Sequence, residues 1–300
     1  MAPSTLSLTA PAKINLSLRV RGETADGYHA LESLVGFCDI GDHLHMESCG
    51  GSSSLEIKGA FSHALEAAPS EDNLIWRALT ALEQASGRAL PTRLVLEKNL
   101  PVAAGLGGGS ADAAAALRGL MHLHKLDLNP VDLAELALRL GADVPVCLAK
   151  EPAWMTGIGE VLTPLTGFPA ADIVLVNPHV ALPTASVFAN LRPVEKMLPP
   201  QEISSGWQGL DDLCGFLVEQ GNDLQAPAIS LVPVIELCLS TLRSSGARYV
   251  AMSGSGASCF ALCEAGQGAA VASAYGARRR EDWVQAGRLI SASDTKIDEA

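Results

Sequence analysis

The sequence predicts an α+β fold. Several strand-like segments precede the first helical segment, whereas a doubly wound sheet alternates strands and helices from its start. A strand, a glycine-rich loop and a helix follow within residues 93–121, and residues 151–169 are rich in Gly, Pro and Thr. The latter region predicts a boundary between two domains, residues 1–155 and 156–300, with the last strand as a candidate to return to the first domain.

The composition indicates a large aliphatic core and an acidic surface. The 300 residues are 48% hydrophobic and 4% aromatic, which suffices to bury a substantial core. Lysine and arginine total 21 against 33 aspartates and glutamates, a net charge of −12, and the sequence contains no basic cluster. The charge argues against nucleic acid and against an anionic membrane surface as partners.

The cysteines and the N-terminal residues predict a cytoplasmic protein. The seven cysteines are scattered, mostly within apolar segments, and neither they nor the histidines have the spacing of a zinc site. Reduced thiols of this kind are typical of the cytosol. We expect no signal peptide, since Lys13 interrupts the apolar residues, and no apolar run reaches the roughly 18 residues of a membrane span.

Three strand-like segments begin the chain. Residues 12–20 alternate between apolar and polar side chains, as a half-buried strand does. A hairpin turn at Asp26–Gly27 leads into a second strand that ends near Phe37. A third strand, residues 44–48, follows Gly41–Asp42.

Capping residues bound two helices of the first half. Residues 70–73 (SEDN) are predicted to cap a helix that runs to about Ser86 and stops at Gly87, and Asn129 to cap a helix that ends at Gly141. Asp143 follows the second helix directly and precedes a segment containing Pro145, which we predict to be extended.

In the second half, a strand is predicted at residues 173–176 and helices at residues 211–220 and 231–244. Two apolar strands flank a loop of small residues at 253–257, which can approach another backbone or a phosphate closely. Residues 189–207 are predicted to form a surface loop.

The most informative segment is a glycine run between a strand and a helix. Residues 93–98 alternate as a strand, and the small and aliphatic residues 113–121 form the contact face of a helix. The sequence LPVAAGLGGGSAD, which lies between them, contains four glycines. Free backbone amides and the positive end of the helix dipole favour an anion there, and glycines let the anion approach. The segment predicts a phosphate-binding loop.

A Walker A loop is excluded, since no Gly-Lys-Ser or Gly-Lys-Thr follows the glycines. Two other interpretations of this loop remain open, a dinucleotide-binding site and a connection without a ligand. Gly105 and Gly107 have the G-x-G spacing of a dinucleotide site, but a helix stands where that site needs a second strand with an acidic end. The loop could also be a plain connection, although four glycines there would cost backbone entropy.

Three separated segments together resemble the GHMP kinases. They are residues 11–16 (PAKINL), residues 101–114 (PVAAGLGGGSADAA), which contain the glycine loop (residues 101–111), and the serine–glycine loop (residues 252–257, MSGSGA). The resemblance implies a two-domain GHMP kinase fold, with a ribosomal protein S5 domain 2-like N-terminal domain and an α/β sandwich C-terminal domain. It also implies a phosphotransferase that uses ATP with Mg²⁺. The ATP-binding residues that it implies are Pro101, Val102, Ala103, Ala104, Gly105, Leu106, Gly107, Gly108, Gly109, Ser110, Ala111, Asn73 and Lys98.

Within that family, residues 26–29 (DGYH) and 141–145 (GADVP) resemble the members that act on a cytidine diphosphate-linked methylerythritol. The resemblance implies phosphorylation of its 2-hydroxyl in the non-mevalonate (MEP) isoprenoid pathway, by a monomer or homodimer. The rings of Tyr28 and Phe188 would sandwich the cytosine, and His29 would bind its edge. The side chains of Asn15 and Thr184 would contact the rest of the substrate.

Lys13 and Asp143 match the catalytic residues of the family. A carboxylate near the acceptor hydroxyl can take its proton, and a neighbouring lysine favours the ionised carboxylate. The same lysine lowers the basicity of the carboxylate, so the alternative role of Asp143 is to orient the hydroxyl while the proton leaves late. Ala111 stands where many relatives have a second serine, and the metal ligands are therefore not assigned.

Other classes share this fold. An ATP-dependent decarboxylase of the diphosphomevalonate type has no use for a cytosine site, which Tyr28, His29 and Phe188 predict. A non-catalytic sensor of sugars or nucleotides has no need of Lys13 and Asp143, which are both present. Another small-molecule kinase of the GHMP family is the remaining alternative.

Overall fold

The fold is built on two β-sheets with helices packed against them. The computed structural model describes residues 4–24, 27–66, 69–165, 168–192, 203 and 206–290. Within these residues the first sheet has seven strands: β1 (Thr5–Asn15), β2 (Arg19–Glu23), β3 (His29–Ser48), β4 (Ser54–Lys58), β5 (Thr92–Glu97), β6 (Ala153–Gly157) and β7 (Val161–Pro164). The hydrogen-bonded order is β4-β5-β3-β6-β7, and β1 and β2 both pair antiparallel with β3.

Strand β3 is one continuous strand of 20 residues, where the sequence predicted two strands separated at Gly41–Asp42. That interruption was wrong, because Gly41 does not turn the chain. An ideal Cβ on Gly41 would lie 2.4 Å from the carbonyl oxygen of Ala10, so the glycine is needed for the close approach of β1 to β3. Asp42 is fully buried in the middle of the strand.

The single strand predicted over residues 12–20 is two strands in the structure. The chain leaves β1 at Asn15 and enters β2 at Arg19. The polar face of this segment is not solvated, since Lys13, Asn15 and Ser17 are all buried. The alternation therefore separates an apolar core from a buried polar site rather than a core from water.

Four helices pack on the first sheet and on one another: α1 (Leu74–Ser86), α2 (Gly108–Leu123), α3 (Pro130–Leu140) and α4 (Val144–Ala149). The predicted caps are confirmed. The side chain of Asn73 accepts a hydrogen bond from the α1 backbone, and that of Asn129 accepts two from α3. Gly87 ends α1 with a left-handed φ of 67°.

The second sheet is antiparallel, in the order β11-β8-β10-β9, and consists of β8 (Asp172–Asn177), β9 (Tyr249–Met252), β10 (Cys259–Cys263) and β11 (Trp283–Arg288). The chain around it forms α5 (Thr184–Ala189), α6 (Leu210–Gln220), α7 (Gln225–Leu231), α8 (Val234–Ser244) and α9 (Gly268–Gly276). The strands predicted here and the helix at 211–220 are confirmed. The helix predicted over 231–244 begins only at Val234, because Pro233 cannot continue the α7 hydrogen-bond ladder and instead opens α8.

Two predicted features fall partly outside the described residues. In the β2–β3 turn, the Thr24 amide donates to the carbonyl of Tyr28 at 2.7 Å, whereas Asp26 lies outside the described part. The predicted surface loop begins at the end of α5, and its residues 193–202, 204 and 205 also lie outside it.

The two sheets share a buried core and a direct backbone link. Ile14 and Leu16 pack in the same apolar cluster as side chains of β8 and β10. The amide of Ile290, just after β11, donates to the carbonyl of Phe37 on β3 at 2.7 Å, although β11 itself pairs with β8. The division at residue 155 stays a prediction, and the β6–β7 hairpin that spans it belongs wholly to the first sheet. Among the helices of the described ranges, none combines the length and apolar character needed to cross a membrane.

Candidate active site

The glycine loop joins β5 to α2 and presents the first turn of that helix. Gly107 is the N-cap residue, with a left-handed φ of 61°, and it has no side chain to accept from the first-turn amides. The Ala111 amide donates back to the Gly107 carbonyl at 2.9 Å. The amides of residues 108–110, which precede this bond, have no acceptor within the helix. This geometry suits an anion such as a phosphate.

The three segments that carry the family resemblance meet at this loop. The backbone amide of Lys13 donates to the carbonyl of Leu106 at 2.9 Å. The Ser253 hydroxyl donates to the Gly105 carbonyl at 2.8 Å and accepts from the Asn15 amide at 3.1 Å. One serine therefore links the serine–glycine loop to both other segments.

Two of the glycines are required by these contacts. An ideal Cβ on Gly105 would lie 2.4 Å from the carbonyl oxygen of Ser253, and one on Gly107 would lie 2.9 Å from the Cβ of Lys13. Both glycines also have positive φ, at 78° and 61°. A side chain at either position would push the loop away from its neighbours.

The two predicted catalytic side chains form an ion pair. Lys13 Nζ lies 2.8 Å from Asp143 Oδ2, and the lysine side chain is 5% exposed against 36% for the aspartate. Asp143 is the N-cap residue of α4, so the prediction of an extended segment after it was wrong. Pro145 is compatible with this helix because it lies in the first turn, where a backbone N–H is not needed. The helix start places the carboxylate over the ammonium and leaves part of it open to a ligand.

Two of the predicted substrate residues, Asn15 and Thr184, lie within hydrogen-bond distance of a serine. The buried Asn15 donates through Nδ2 to Ser33 Oγ at 2.7 Å, and Thr184 Oγ1 lies 2.8 Å from Ser255 Oγ. The ring that lies against Phe188 is that of His29.

The sequence paired Tyr28 with Phe188 around a base, but in this structure the stacked partner is the neighbouring histidine. Tyr28 itself is 62% exposed, because it lies in the short turn before β3 and its ring extends from the protein surface. A role for Tyr28 in holding a base stays a prediction.

A cavity of about 570 Å³ runs between these elements. Both halves of the chain line it, and most of the predicted site residues lie along its wall. The predicted residues that do not line the cavity are Leu106, Ala111, Tyr28 and His29. Those that line it are Lys13, Asn15, Asn73, Lys98, Pro101, Val102, Ala103, Ala104, Gly105, Gly107, Gly108, Gly109, Ser110, Asp143, Thr184 and Phe188.

Comparison with known proteins identifies the family of this chain. Residues 73–151 match the GHMP kinases N terminal domain, and residues 208–290 match the GHMP kinases C terminal domain. The 4-diphosphocytidyl-2-C-methyl-D-erythritol kinase of Ruegeria pomeroyi is 49% identical over 253 residues, covering 84% of this chain and 87% of the relative. That of Paracoccus denitrificans is 45% identical over 284 residues, covering 95% and 94%. The chain belongs to the GHMP kinase family.

Solved structures place this GHMP kinase among the same proteins. A crystal structure of 4-(cytidine 5'-diphospho)-2C-methyl-D-erythritol kinase matches with a TM-score of 0.77 and 33% identity, covering 95% of this chain and 99% of that one. An L. major mevalonate kinase in complex with R-mevalonate matches with a TM-score of 0.70 at 15% identity, covering 97% of this chain and 98% of that one. The second match concerns the fold alone. The predicted α+β GHMP kinase fold is thus confirmed.

Two residues predicted to bind ATP in this GHMP kinase already have protein partners. Asn73 uses its side-chain oxygen to cap α1, accepting from the Ile75 amide at 2.9 Å. Lys98 Nζ lies 2.5 Å from Asp42 Oδ2 and 2.7 Å from Asp112 Oδ2, and all three side chains are buried. Burial alone would lower the pKa of the Lys98 ammonium, but the two carboxylates raise it above its ordinary value.

Sequence reasoning missed Asp42, Asp112 and Asn222 near the site. Asn222 donates to the carbonyls of Met252 and Gly254 at 2.8 and 2.9 Å and so fixes the serine–glycine loop. The run Gly221–Asn222–Asp223 after α6 was the available signal, since such runs mark specific turns. Asp42 and Asp112 gave none, because nothing in the sequence places either carboxylate beside Lys98.

The donors for a metal are sparse. In the described part of the chain, no group of three or more His, Cys, Asp or Glu side chains is arranged to hold an ion. The seven cysteines are free thiols. Burial raises the pKa of five of these thiols to about 11 or 12 and that of Cys259 well above its ordinary value, which disfavours the thiolate form that binds a metal. A metal at this site would therefore depend on a ligand that brings further oxygens.

Proposed function

We propose that this GHMP kinase transfers the γ-phosphoryl group of ATP to the 2-hydroxyl of 4-diphosphocytidyl-2-C-methyl-D-erythritol. The observation that carries the proposal is the Lys13–Asp143 pair beside the glycine loop, with the two side chains 2.8 Å apart on the wall of one cavity. The names of relatives with 45–49% identity support the choice of acceptor.

The proposed reaction needs a donor, an acceptor and a place for one proton. The acceptor oxygen forms a bond to the γ-phosphorus, and the bond from that phosphorus to the bridging oxygen breaks, so that ADP leaves with the electron pair. The acceptor proton passes to a carboxylate oxygen of Asp143. Lys13 holds that carboxylate in place, and its ammonium offsets negative charge on the transferring group. The free amides at the start of α2 stabilise the triphosphate.

We include Mg²⁺ in the proposal because phosphoryl transfer from ATP needs cations that neutralise the charge of the phosphates. Ser110, Asp72 and Asp143 line the cavity and offer the hard oxygen donors that Mg²⁺ prefers. Together with phosphate oxygens, these donors fit a weakly held ion that arrives with the nucleotide. Binding of Mn²⁺ by the ATP complex, followed by its paramagnetic spectrum, should weaken in Ser110→Ala if the serine is a ligand.

The acceptor assignment is tested by an ATP-consumption assay with product identification. We expect turnover with 4-diphosphocytidyl-2-C-methyl-D-erythritol, phosphate on its 2-hydroxyl, and negligible turnover with mevalonate, homoserine or galactose. A site that hydrogen-bonds a base rejects acceptors without it by factors of about 10⁴ or more. Comparable kcat/KM for an acceptor without the cytidine headgroup would overturn the assignment and leave an ATP-dependent kinase of another specificity.

A cytoplasmic location and a monomeric or homodimeric state remain parts of the proposal. The seven free thiols support the first. Light scattering of the purified chain tests the second, and a larger assembly would contradict it.

A further inference from the structure

A buried cluster of three charges adjoins the glycine loop, and two of its members, Lys98 and Asp112, also reach the wall of the cavity. Lys98, at the end of β5, places its ammonium between Asp42 of β3 and Asp112 of α2, 2.5 and 2.7 Å from their Oδ2 atoms. The three residues are 2%, 0% and 4% exposed. We call Lys98, Asp42 and Asp112 the charge triad.

The charge triad contacts both ends of the glycine loop. The second carboxylate oxygen of Asp42 accepts from the amides of Asn99 and Leu100, at 2.6 and 2.8 Å, where the chain enters the loop. At the other end, an ideal Cβ on Gly108 would lie 3.1 Å from Lys98 Nζ. Asp112 is in the second turn of the helix that begins at Gly108. The triad thus fixes the loop where it starts and where it becomes helix.

We propose that the charge triad positions the glycine loop for the triphosphate, and that Lys98 acts through this loop rather than as a nucleotide ligand. The inference rests on the proposed use of ATP by this site. It replaces the direct ATP contact that the family resemblance implied for Lys98. Two of the three N–H groups of the ammonium are directed at carboxylates that are themselves buried, and breaking either bond would leave a buried charge unpaired.

The balance of charge within the triad supports this role. Two carboxylates face one ammonium, and the second oxygen of Asp112 is buried with no hydrogen-bond partner among the described residues. Burial raises the pKa of the Asp112 carboxyl to about 7, with Lys98 acting against this rise. With Asp112 partly protonated, the triad carries less than one net negative charge. The smaller charge repels an anionic ligand at the loop less than two full carboxylates would.

A double-mutant cycle separates positioning from direct contact. We measure the Kd of ATP with Mg²⁺ by calorimetry for the wild type, Lys98→Met, Asp112→Asn and the double variant. If the charge triad positions the loop, Lys98→Met should raise the Kd of ATP by about tenfold or more, because two buried carboxylates then face each other. The same role predicts a change of no more than about threefold for Asp112→Asn, and recovery in the double variant to within about fivefold of the wild type.

Direct contact predicts the opposite pattern. Removing Lys98 would then lose the same affinity with or without Asp112→Asn, and an additive cycle of this kind would overturn the proposal. If Lys98→Met does not fold, Asp42→Asn decides. Positioning predicts weaker ATP binding, since the loop entrance is disturbed, whereas direct contact predicts unchanged or tighter binding, since the ammonium is released.

The matched control is Asp282→Asn. Asp282 is a buried carboxylate of the second half, bonded to Tyr275 and Arg279. Its loss should lower Tm and leave the Kd of ATP unchanged, which separates a general loss of stability from loop positioning. The cycle is measured without acceptor, so a wrong acceptor assignment leaves it interpretable, whereas a wild type that does not bind ATP would remove the proposed function itself.

Discussion

The imidazole ring of His29 lies parallel to the phenyl ring of Phe188, with ring centroids 4.6 Å apart and planes inclined by 10°. The first residue of β3 and a residue of α5 thereby meet across the two halves of the chain, and Phe188 also lines the cavity. A cytosine stacked on this face of Phe188 would occupy the place of the His29 ring. The proposed roles therefore require His29 to move from the face of the base to its edge.

Removing either ring should weaken the cytidine substrate selectively. We expect Phe188→Ala to raise its KM roughly 5- to 150-fold, the range of about 1–3 kcal/mol measured for base stacking, and His29→Ala to raise it through loss of the hydrogen bond to the edge of the base. The Kd of ATP should stay unchanged. Tyr28→Ala serves as the comparison, since an effect as large as that of Phe188→Ala would identify Tyr28 as the second stacking ring. Equal loss of ATP binding in the Phe188 variant would contradict a separate base site.

Asp143→Asn should abolish most of the turnover and leave the fold intact. The side chains are nearly isosteric, so the fold should be kept, but the variant leaves the enclosed Lys13 ammonium without its carboxylate partner, and Tm should fall. A positioned base contributes about 10²–10⁴-fold, and kcat should fall by that factor. The exposed Glu135→Gln on α3 is the control and should keep full activity. An unchanged kcat in Asp143→Asn would remove the residue from the reaction.

Lys13→Met tests whether the buried ammonium acts in catalysis or only in folding. The ammonium is almost fully enclosed, and methionine replaces its apolar stem without leaving a buried cation. We expect kcat to fall by roughly 10²–10³, the loss found for one charge-stabilising donor, with Tm close to that of the wild type. Activity per folded molecule that stays normal while Tm collapses would show a structural role instead.

Gly107→Val should abolish ATP binding. The new side chain would need a left-handed backbone and would meet the side chain of Lys13. Gly87→Ala is a close control, because Gly87 has a similar φ of +67° but no atom within 4 Å of its ideal Cβ. It should cost about 1 kcal/mol of folding free energy and leave the Kd of ATP unchanged. Calorimetry that finds wild-type affinity in a folded Gly107→Val would take the loop out of the nucleotide site.

The folding free energy should depend on pH through Asp112. Its carboxyl has a pKa of about 7 in the native chain, above the usual value of about 4, so between these pH values the native state binds more protons than the unfolded state. Stability therefore falls as pH rises from about 4 to 7 and is level above. Lys98 and Asp42 face this carboxyl, and the nearby Cys147 thiol, whose pKa is about 12, stays neutral. Denaturant unfolding of Asp112→Asn, subtracted from the wild type, should isolate this slope, and a flat difference would contradict it.

Local signals predicted the helices well and the strands less well. The caps at Asn73 and Asn129 act within one turn, so the sequence alone contains the whole interaction. Gly41 needed a different kind of information, because its role depends on the carbonyl of Ala10, which is distant in the chain. Pro145 was misread for a related reason, since proline suits both an extended segment and the first turn of a helix.

The candidate site followed the same division. The three family segments and residues 141–145 predicted that Lys13, Asp143 and the glycine loop belong to one site, and the structure brings them together on one cavity wall. The pairing of Lys98 with Asp42 could not be predicted from these segments. Asp42 lies 56 positions before it, on a strand that the sequence predicted to be broken at that point.

The bond from Ile290 to Phe37 has a consequence for synthesis on the ribosome. All strands of the first sheet are present once the chain has been made as far as Pro164, yet the segment that bridges from β11 to β3 is added more than a hundred residues later. The first half must therefore hold the edge of β3 at Phe37 and Cys38 open during translation. A nascent chain stalled before residue 283 would expose that edge to other chains. Pulse-labelled chains truncated there should bind a chaperone longer than chains that include Leu289 and Ile290.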